Sequence, residues 1–298
     1  MTPSLIRSIT QDVPEAALGF LFEPRHTARL VFVRRGIMAV ACAWLVSMLA
    51  GLSWWFGPAG WLDAELSSRL ATSAGDGLER FFMFSPLWWT SDRTIIGAWF
   101  ILSLLLCIAG LIGIGGRWIV AASFVAVLCC VQRTPWTTGA VEPLLLATMA
   151  YLVIEPGSGS KNNGSASKSS STAAIALRMI QIHLWLFLLF GLLTQCSGLT
   201  WWRGEAVWWL TRTGHSNLLR PEWLHGKGFL INAITHGVTL VEFIAVAGLW
   251  NRLLRPIAYV SGLATAASYA LLADQFLYGL LIVVLLDAFR SQQTQSGE

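Results

Sequence analysis

The sequence predicts an all-α, polytopic membrane bundle, because the chain is strongly apolar, poor in charge and divided into long hydrophobic segments. Of its 298 residues, 55% are hydrophobic and only 12% are charged, whereas soluble domains usually carry about 25% charged residues. A helix needs about 20 apolar residues to cross a bilayer, and about eight segments approach this length. The segments are residues 35–56, 95–115, 117–134, 139–155, 173–197, 229–250, 255–272 and 274–289.

Two longer connections between these segments are predicted to lie at the outer membrane surface, each with an interfacial helix. In the connection 57–94, four leucines recur at a spacing typical of an amphipathic surface helix. These leucines are Leu62, Leu66, Leu70 and Leu78. In the connection 198–228, residues 206–210 predict a second short helix. The final two segments flank Asp274 and alternatively form one re-entrant pair.

The basic residues predict the orientation of the chain. The net charge is +4, but Lys and Arg are spread through short loops, which argues against nucleic acid binding and favours membrane lipids as the surroundings. The positive-inside rule places both termini in the cytoplasm, in a bacterial-type cytoplasmic membrane. The predicted organisation is a cytoplasmic segment at 1–34, a transmembrane domain at 35–290 and a cytoplasmic tail at 291–298. The Gly- and Ser-rich stretch 156–172 predicts a flexible cytoplasmic linker within that domain.

The fifth segment carries three polar side chains, which are costly in lipid and normally face protein or a watery cavity. At about 100° per residue, Arg178 and Gln181 lie on one side of this helix and His183 lies on the opposite side. We expect Arg178 to snorkel to the inner membrane surface and Gln181 to hydrogen-bond a neighbouring helix. His183 is more often a packed, hydrogen-bonded histidine than a catalytic group or a ligand.

The sixth segment carries Asn232, His236 and Glu242. Glu242 lies near the middle of the segment, where an unpaired carboxylate costs several kcal/mol, so it should be protonated or paired. Its expected partner is one of the three polar side chains of the fifth segment. Because a Glu–His pair can relay protons or hold a polar ligand, His183, His236 and Glu242 are the candidate catalytic residues. The alternative is that these groups only join neighbouring helices.

Other polar residues indicate structure rather than chemistry. Asp92 and Glu142 stand at predicted helix N-termini, where the helix dipole stabilises a carboxylate. The five cysteines form no metal motif and no evident disulfide framework. Cys129, Cys130 and Cys196 lie toward the outer ends of their spans, where we expect small apolar packing residues; the alternative is a redox trio in an oxidising compartment. The histidines have no spacing typical of metal ligands, so no metal site is predicted.

A series of short motifs follows the order of the predicted spans. They are RRG at 34–36, FFMFSPLWWTSD at 81–92, Arg117, TPW at 134–136, and LRMIQIHLWLFLLFG at 177–191 followed by WWRG at 201–204. In this order, across about residues 30–290, they resemble the membrane domain of the vitamin K-dependent γ-carboxylases, also called the horizontally transferred transmembrane (HTTM) domain. The resemblance implies an all-helical membrane module.

In the carboxylases, the resemblance also implies a reduced quinone, oxygen and CO₂ for the carboxylation of glutamate side chains. The family's catalytic base is a lysine near the outer end of the fifth span, and this chain has Thr194 or Gln195 at that place. The family's histidine after the TPW motif is replaced as well. The sequence therefore predicts a member of this scaffold without authentic carboxylase activity.

The predicted function is the binding of a lipid, a quinone-like or vitamin K-like ligand, or a partner protein. The candidate ligand-binding residues are Arg178, Gln181, Trp201, Trp202, Gly204 and Asn232. One alternative is a membrane enzyme with altered, quinone-linked chemistry at His183, His236 and Glu242. Another is a small transporter, because a carboxylate near the middle of a span often marks an ion path.

Overall fold

All regular secondary structure in the described part of the chain is helical, which confirms the all-α part of the predicted fold class. The computed structural model describes residues 19–20, 28–56, 60, 65–66, 69, 85–133, 139–154, 171–213 and 221–290. The helices of eight or more residues are α1 (Ala28–Ala50), α2 (Arg93–Ile112), α3 (Gly116–Arg133), α4 (Val141–Ile154), α5 (Ser171–Ser197), α6 (Ala206–Thr213), α7 (Gly228–Gly248), α8 (Arg255–Leu272) and α9 (Phe276–Leu286).

Five of these helices, α1, α2, α3, α5 and α7, are long and apolar enough to cross a membrane. Each of the predicted segments contains a helix, but the predicted number of about eight spans is matched only in part. With 14 and 11 residues, α4 and α9 extend about 21 and 17 Å at the rise of an α-helix. The hydrocarbon core of a bilayer is about 30 Å thick.

Most helices that follow each other along the chain pack side by side, and α9 closes the bundle by returning to α1. Despite its short length, α9 contacts α1, α4, α5 and α8. Gly36 of α1 makes this closure possible, because a β-carbon there would overlap the side chain of Val284 in α9. The small residue therefore lets the two backbones approach closely, as is common between membrane helices.

The helix ends follow the predicted chemistry. Asp92 is the N-cap of α2, and its side chain accepts a hydrogen bond of 2.7 Å from the backbone N–H of Thr94. Glu142, in the first turn of α4, accepts from the backbone N–H of Gly139 at 2.7 Å and from the indole of Trp44 at 3.0 Å. These contacts confirm that both carboxylates stabilise helix N-termini.

The predicted short helix at 206–210 is confirmed as α6, which extends to Thr213. Several other predictions fall wholly or largely outside the described residues. These are the amphipathic helix in the connection 57–94, the linker 156–172, most of the N-terminal segment 1–34 and the tail 291–298.

Candidate ligand-binding site

A polar cluster lies between three apolar helices, where α7 packs against α5 and α8. Glu242 is fully buried, and it shares the inward face of α7 with Val238 and Ala245. Gln195 is a buried residue near the C-terminal end of α5, and Tyr269 is a half-buried residue near the end of α8. We call Gln195, Glu242 and Tyr269 the polar trio.

The carboxylate of Glu242 is held by two donors from the neighbouring helices. The hydroxyl of Tyr269 donates to Oε1 at 3.1 Å and to Oε2 at 3.2 Å, and the amide Nε2 of Gln195 donates to Oε2. The same Nε2 lies 3.4 Å from the Tyr269 hydroxyl. A buried carboxylate costs several kcal/mol unless it is paired and hydrogen-bonded, so these donors offset part of its desolvation.

Gly191 provides the space that the carboxylate occupies. It stands one helical turn before Gln195 on α5, and a β-carbon there would lie 2.8 Å from Oε1 of Glu242 and 3.2 Å from the Tyr269 hydroxyl. Real β-carbons essentially never show the first of these distances. The glycine thus forms a notch in α5 that admits the acidic side chain of α7.

One atom of the polar trio has no hydrogen-bond partner among the residues that the structure describes. The amide Oε1 of Gln195 is buried, and no donor in the described residues reaches it. A buried acceptor without a partner costs about 1–3 kcal/mol, so such groups are rare and require an explanation. The trio therefore presents an unused acceptor beside a carboxylate and a phenol.

An aromatic row leads away from the trio towards His183. Tyr269 packs edge-on against Tyr278 with ring centroids 5.2 Å apart, and Phe187 lies 6.0 Å beyond Tyr278. His183 stacks on Phe187 at 6.1 Å, and its Nδ1 is 3.1 Å from the hydroxyl of Tyr151 on α4. His183 is thus a half-buried, hydrogen-bonded histidine that packs against aromatic rings, as we expected.

Glu242 does pair with the fifth segment, but the predicted partners Arg178, Gln181 and His183 were wrong, because its partner there is Gln195. Arg178 and Gln181 lie towards the opposite end of α5, about 25 and 21 Å from Gln195 along the helix axis at 1.5 Å per residue. His183 contacts Tyr151 rather than Glu242. Helical periodicity predicted the face of α5 on which each residue lies. It did not predict which helix packs against that face, or at which level of the bundle Glu242 lies.

Arg178 is buried, contrary to the expectation that it would snorkel. Its guanidinium lies 4.0 Å from the ring of Phe20, donates to the backbone carbonyl of Phe20 at 3.2 Å, and donates to Oε1 of Gln181 at 3.0 Å. The amide of Gln181 donates in turn to the carbonyl of Ala288, after α9. The prediction that Gln181 bonds a neighbouring element is confirmed, and the pair anchors both ends of the described chain to α5.

The remaining candidate ligand-binding residues lie where the short turn Leu199–Trp202 and α6 meet α7. Asn232 donates to the carbonyl of Arg203 at 3.1 Å, and Gly204 has a positive φ of 72° with the Asn232 side chain where a β-carbon would lie. The ring of Trp201 packs against the small core beneath α6, whereas that of Trp202 is exposed and its indole donates to the carbonyl of Cys196. These residues hold a turn against α7 and lie apart from Arg178 and Gln181.

His236 is exposed, and it stands six residues before Glu242 on α7. At about 100° per residue, six positions place the two side chains on different faces of the helix. The three candidate catalytic residues therefore lie in three separate surroundings.

Sequence reasoning missed Tyr269 entirely and considered Gln195 only as a replaced lysine. A signal for Gln195 exists, because Gln181, Leu188 and Gln195 recur every seven residues and all are buried on one face of α5. Tyr269 stands in a predicted span whose other inward residues are small, such as Thr265 and Ala266. A hydroxyl at such a position needs a partner, and this requirement was the available signal.

No protein-family model, curated protein or solved structure matches this chain. The arrangement of the polar trio, rather than any relative, must therefore carry the functional argument.

Proposed function

We propose that this chain is a multi-pass membrane protein that binds a lipid-soluble small molecule with a hydroxyl donor, a lipid or a quinone-like ligand in its reduced, hydroquinone form, at the polar trio. The observation that carries the proposal is the buried Oε1 of Gln195, which has no partner among the described residues. A ligand hydroxyl would satisfy this acceptor, while its apolar body would lie among the helices. Small-molecule sites commonly combine mostly apolar walls with a few placed polar groups.

The resemblance to the HTTM domain supports the same position on α5. The base lysine of the carboxylases corresponds to Thr194 or Gln195, and in this chain Thr194 is exposed whereas Gln195 is buried beside Glu242. A glutamine amide has no basic nitrogen and cannot take the role of a neutral amine. We therefore propose binding at this position without carboxylation of glutamate.

The direct test is to identify what the purified protein carries. The full chain is purified in mild detergent with native lipids, extracted with organic solvent and analysed by mass spectrometry, for the wild type and for Gln195→Leu and Glu242→Gln. We expect a specific lipid or quinone in the wild-type extract and a loss of at least tenfold in both variants, since about 1.4 kcal/mol of lost interaction corresponds to a factor of ten.

His236→Ala is the matched control, because His236 is exposed on the same helix as Glu242 but faces another direction. It should retain the ligand. Size-exclusion profiles and thermal unfolding of each variant separate the loss of a ligand from the loss of the fold. Equal ligand content in the wild type and both trio variants, with all of them folded, would refute the proposal.

A second assay tests the absence of the carboxylase reaction. The wild-type protein is incubated with reduced vitamin K, a glutamate-containing peptide and labelled bicarbonate, and incorporation of label into the peptide is measured. We expect incorporation equal to that of a protein-free control. Robust labelling would show that carboxylation does not require a lysine at this position of α5, and this conclusion would hold whatever the extraction shows.

A further inference from the structure

A buried arginine of α1 points at the start of α3, beside the turn 113–115 that joins α2 to α3. Arg34 is only 6% exposed, and its Nη2 donates to the backbone carbonyl of Gly116, the first residue of α3, at 3.4 Å. Its Nε is buried and has no hydrogen-bond partner among the described residues. None of the ion pairs between described residues includes Arg34. A buried charge is costly unless it is paired and fully hydrogen-bonded, so this guanidinium lacks a counter-ion.

The start of α3 has no cap. Gly115 precedes the helix and has no side chain that could accept a hydrogen bond from its first turn. Within the described residues, the backbone N–H groups of Gly116, Arg117 and Trp118 have no backbone acceptor. Unpaired N–H groups give a helix N-terminus about half a positive charge, which makes it a ready anion site. The guanidinium of Arg34 thus lies beside a second positive group.

The turn between α2 and α3 lies at one surface of the membrane in the multi-pass arrangement proposed above. Both helices are long and apolar enough to cross a bilayer. Ile112, Ile114 and Trp118 are exposed around the turn, and Trp118 is 77% exposed. Exposed apolar and indole side chains at the end of a span are typical of the zone where headgroups meet hydrocarbon. The start of α3 is therefore within reach of lipid phosphates.

We infer that Arg34 and the first turn of α3 bind the phosphate of an anionic phospholipid headgroup. The phosphate oxygens accept hydrogen bonds from the N–H groups of Arg117 and Trp118 and from the guanidinium, whose fork matches a phosphate. The bond between Arg34 and Gly116 is long at 3.4 Å, so the guanidinium can turn from this carbonyl to the ligand. A zwitterionic headgroup would bring its own cation into this positive region, which favours an anionic lipid.

The test uses the full chain in nanodiscs of phosphatidylcholine, with and without added phosphatidylglycerol. Hydrogen–deuterium exchange of residues 113–120 is followed by mass spectrometry. We expect phosphatidylglycerol to slow exchange of the Arg117 and Trp118 amides at least about tenfold in the wild type, and at most about twofold in Arg34→Gln. The comparison of the two wild-type nanodiscs does not depend on the folding of any variant.

Arg35→Gln is the matched control, because Arg35 is the next residue of the same helix and is exposed. It removes the same charge from the same end of α1, and about 100° of helical rotation separates it from Arg34. Exchange in Arg35→Gln should be slowed by phosphatidylglycerol as in the wild type. A last arm adds inorganic phosphate to the phosphatidylcholine nanodiscs, and we expect it to leave exchange unchanged.

Four outcomes would overturn the inference. Equal exchange of the wild type in both nanodiscs would show that the anionic lipid does not bind here. A full effect in folded Arg34→Gln would exclude Arg34, and an equal loss in Arg35→Gln would show only diffuse surface charge. Protection by inorganic phosphate would assign the site to a soluble anion. None of these results bears on the ligand of the polar trio, which is intact in both variants.

Discussion

At the scale of single residues, the burial of Glu242 depends on what the neighbouring helices omit as well as on what they supply. Gln195 and Tyr269 supply donors, and Gly191 omits the side chain that would fill the carboxylate's place. The described ion pairs of the chain do not include Glu242. The buried carboxylate of Glu242 is therefore stabilised by two hydrogen bonds and by the space that Gly191 leaves. Substitutions can remove each of these contributions separately.

Tyr269→Phe removes one donor without changing the shape of the ring. We expect it to lower the free energy of unfolding by about 1–3 kcal/mol, because the buried carboxyl group is left with the Gln195 amide alone. Unfolding in mixed micelles measures the change. Tyr259→Phe is the control on the same helix, since the Tyr259 hydroxyl makes no hydrogen bond to the described residues. Equal effects of the two substitutions would contradict the assigned contact.

Gly191→Ala tests the notch in α5. Its methyl group would meet Oε1 of Glu242, so we expect a loss of about 1–3 kcal/mol from overpacking. At Gly237, in the interior of α7, a β-carbon meets nothing within 4 Å. Gly237→Ala should therefore be neutral or stabilising, by up to about 1 kcal/mol, because alanine favours the helix. Thermal unfolding of the two variants is measured in parallel. An unfolding temperature of Gly191→Ala equal to that of the wild type would contradict the close contact between Gly191 and Glu242.

At the scale of elements, α9 is a short helix that nevertheless contacts four other helices of the bundle. α9 packs against α8 in an antiparallel pair joined by residues 273–275, and Asp274 in that turn has a positive φ of 56°. The pair is close because each helix places a glycine against the other. A β-carbon on Gly279 would lie 2.5 Å from the backbone carbonyl of Ala266, whereas one on Gly262 would lie 2.8 Å from the side chain of Leu286.

These two glycines predict different costs for the same substitution. Gly279→Ala should destabilise the protein more than Gly262→Ala does, because a backbone carbonyl cannot move aside and a leucine side chain can adopt another rotamer. We expect a difference of at least about 1 kcal/mol. The measurement is the unfolding midpoint in increasing SDS, with the helix content of both variants checked first by circular dichroism. The reverse order would show that α8 and α9 are not held by this contact.

The elements themselves were largely predictable, whereas their partners were not. Hydrophobic length and charge depletion located segments 95–115 and 229–250, and the corresponding helices begin within two residues of them, at Arg93 and Gly228. A buried polar group needs a partner on a particular neighbouring helix. Helical periodicity gives the face on which the group lies, but it does not say which helix packs against that face. For that reason the sequence showed that Glu242 needs a partner, but it did not show that Tyr269, on the next helix along the chain, is that partner.

At the scale of the whole molecule, the orientation of the bundle in a membrane remains a prediction from the basic residues. It is testable in a Cys196→Ser background, which removes the exposed thiol. Ser165→Cys is predicted to lie inside and Ser216→Cys outside, by the positive-inside rule. A membrane-impermeant maleimide applied to intact cells should label only Ser216→Cys, and Ser165→Cys should be labelled after permeabilisation. Labelling of Ser165→Cys in intact cells would reverse the orientation.

The closure of the bundle by α9 has a consequence for how the protein is made. Ribosomes add about 5–20 residues per second, so α9 follows α1 into the membrane by roughly 10 to 50 seconds. Throughout that interval the surface of α1 around Gly36, which finally receives Val284, has no native partner and must be covered by lipid or by an insertion factor. Assembly therefore cannot be completed helix by helix during synthesis. A chain that stops anywhere before residue 276 would therefore leave that face of α1 without its native partner.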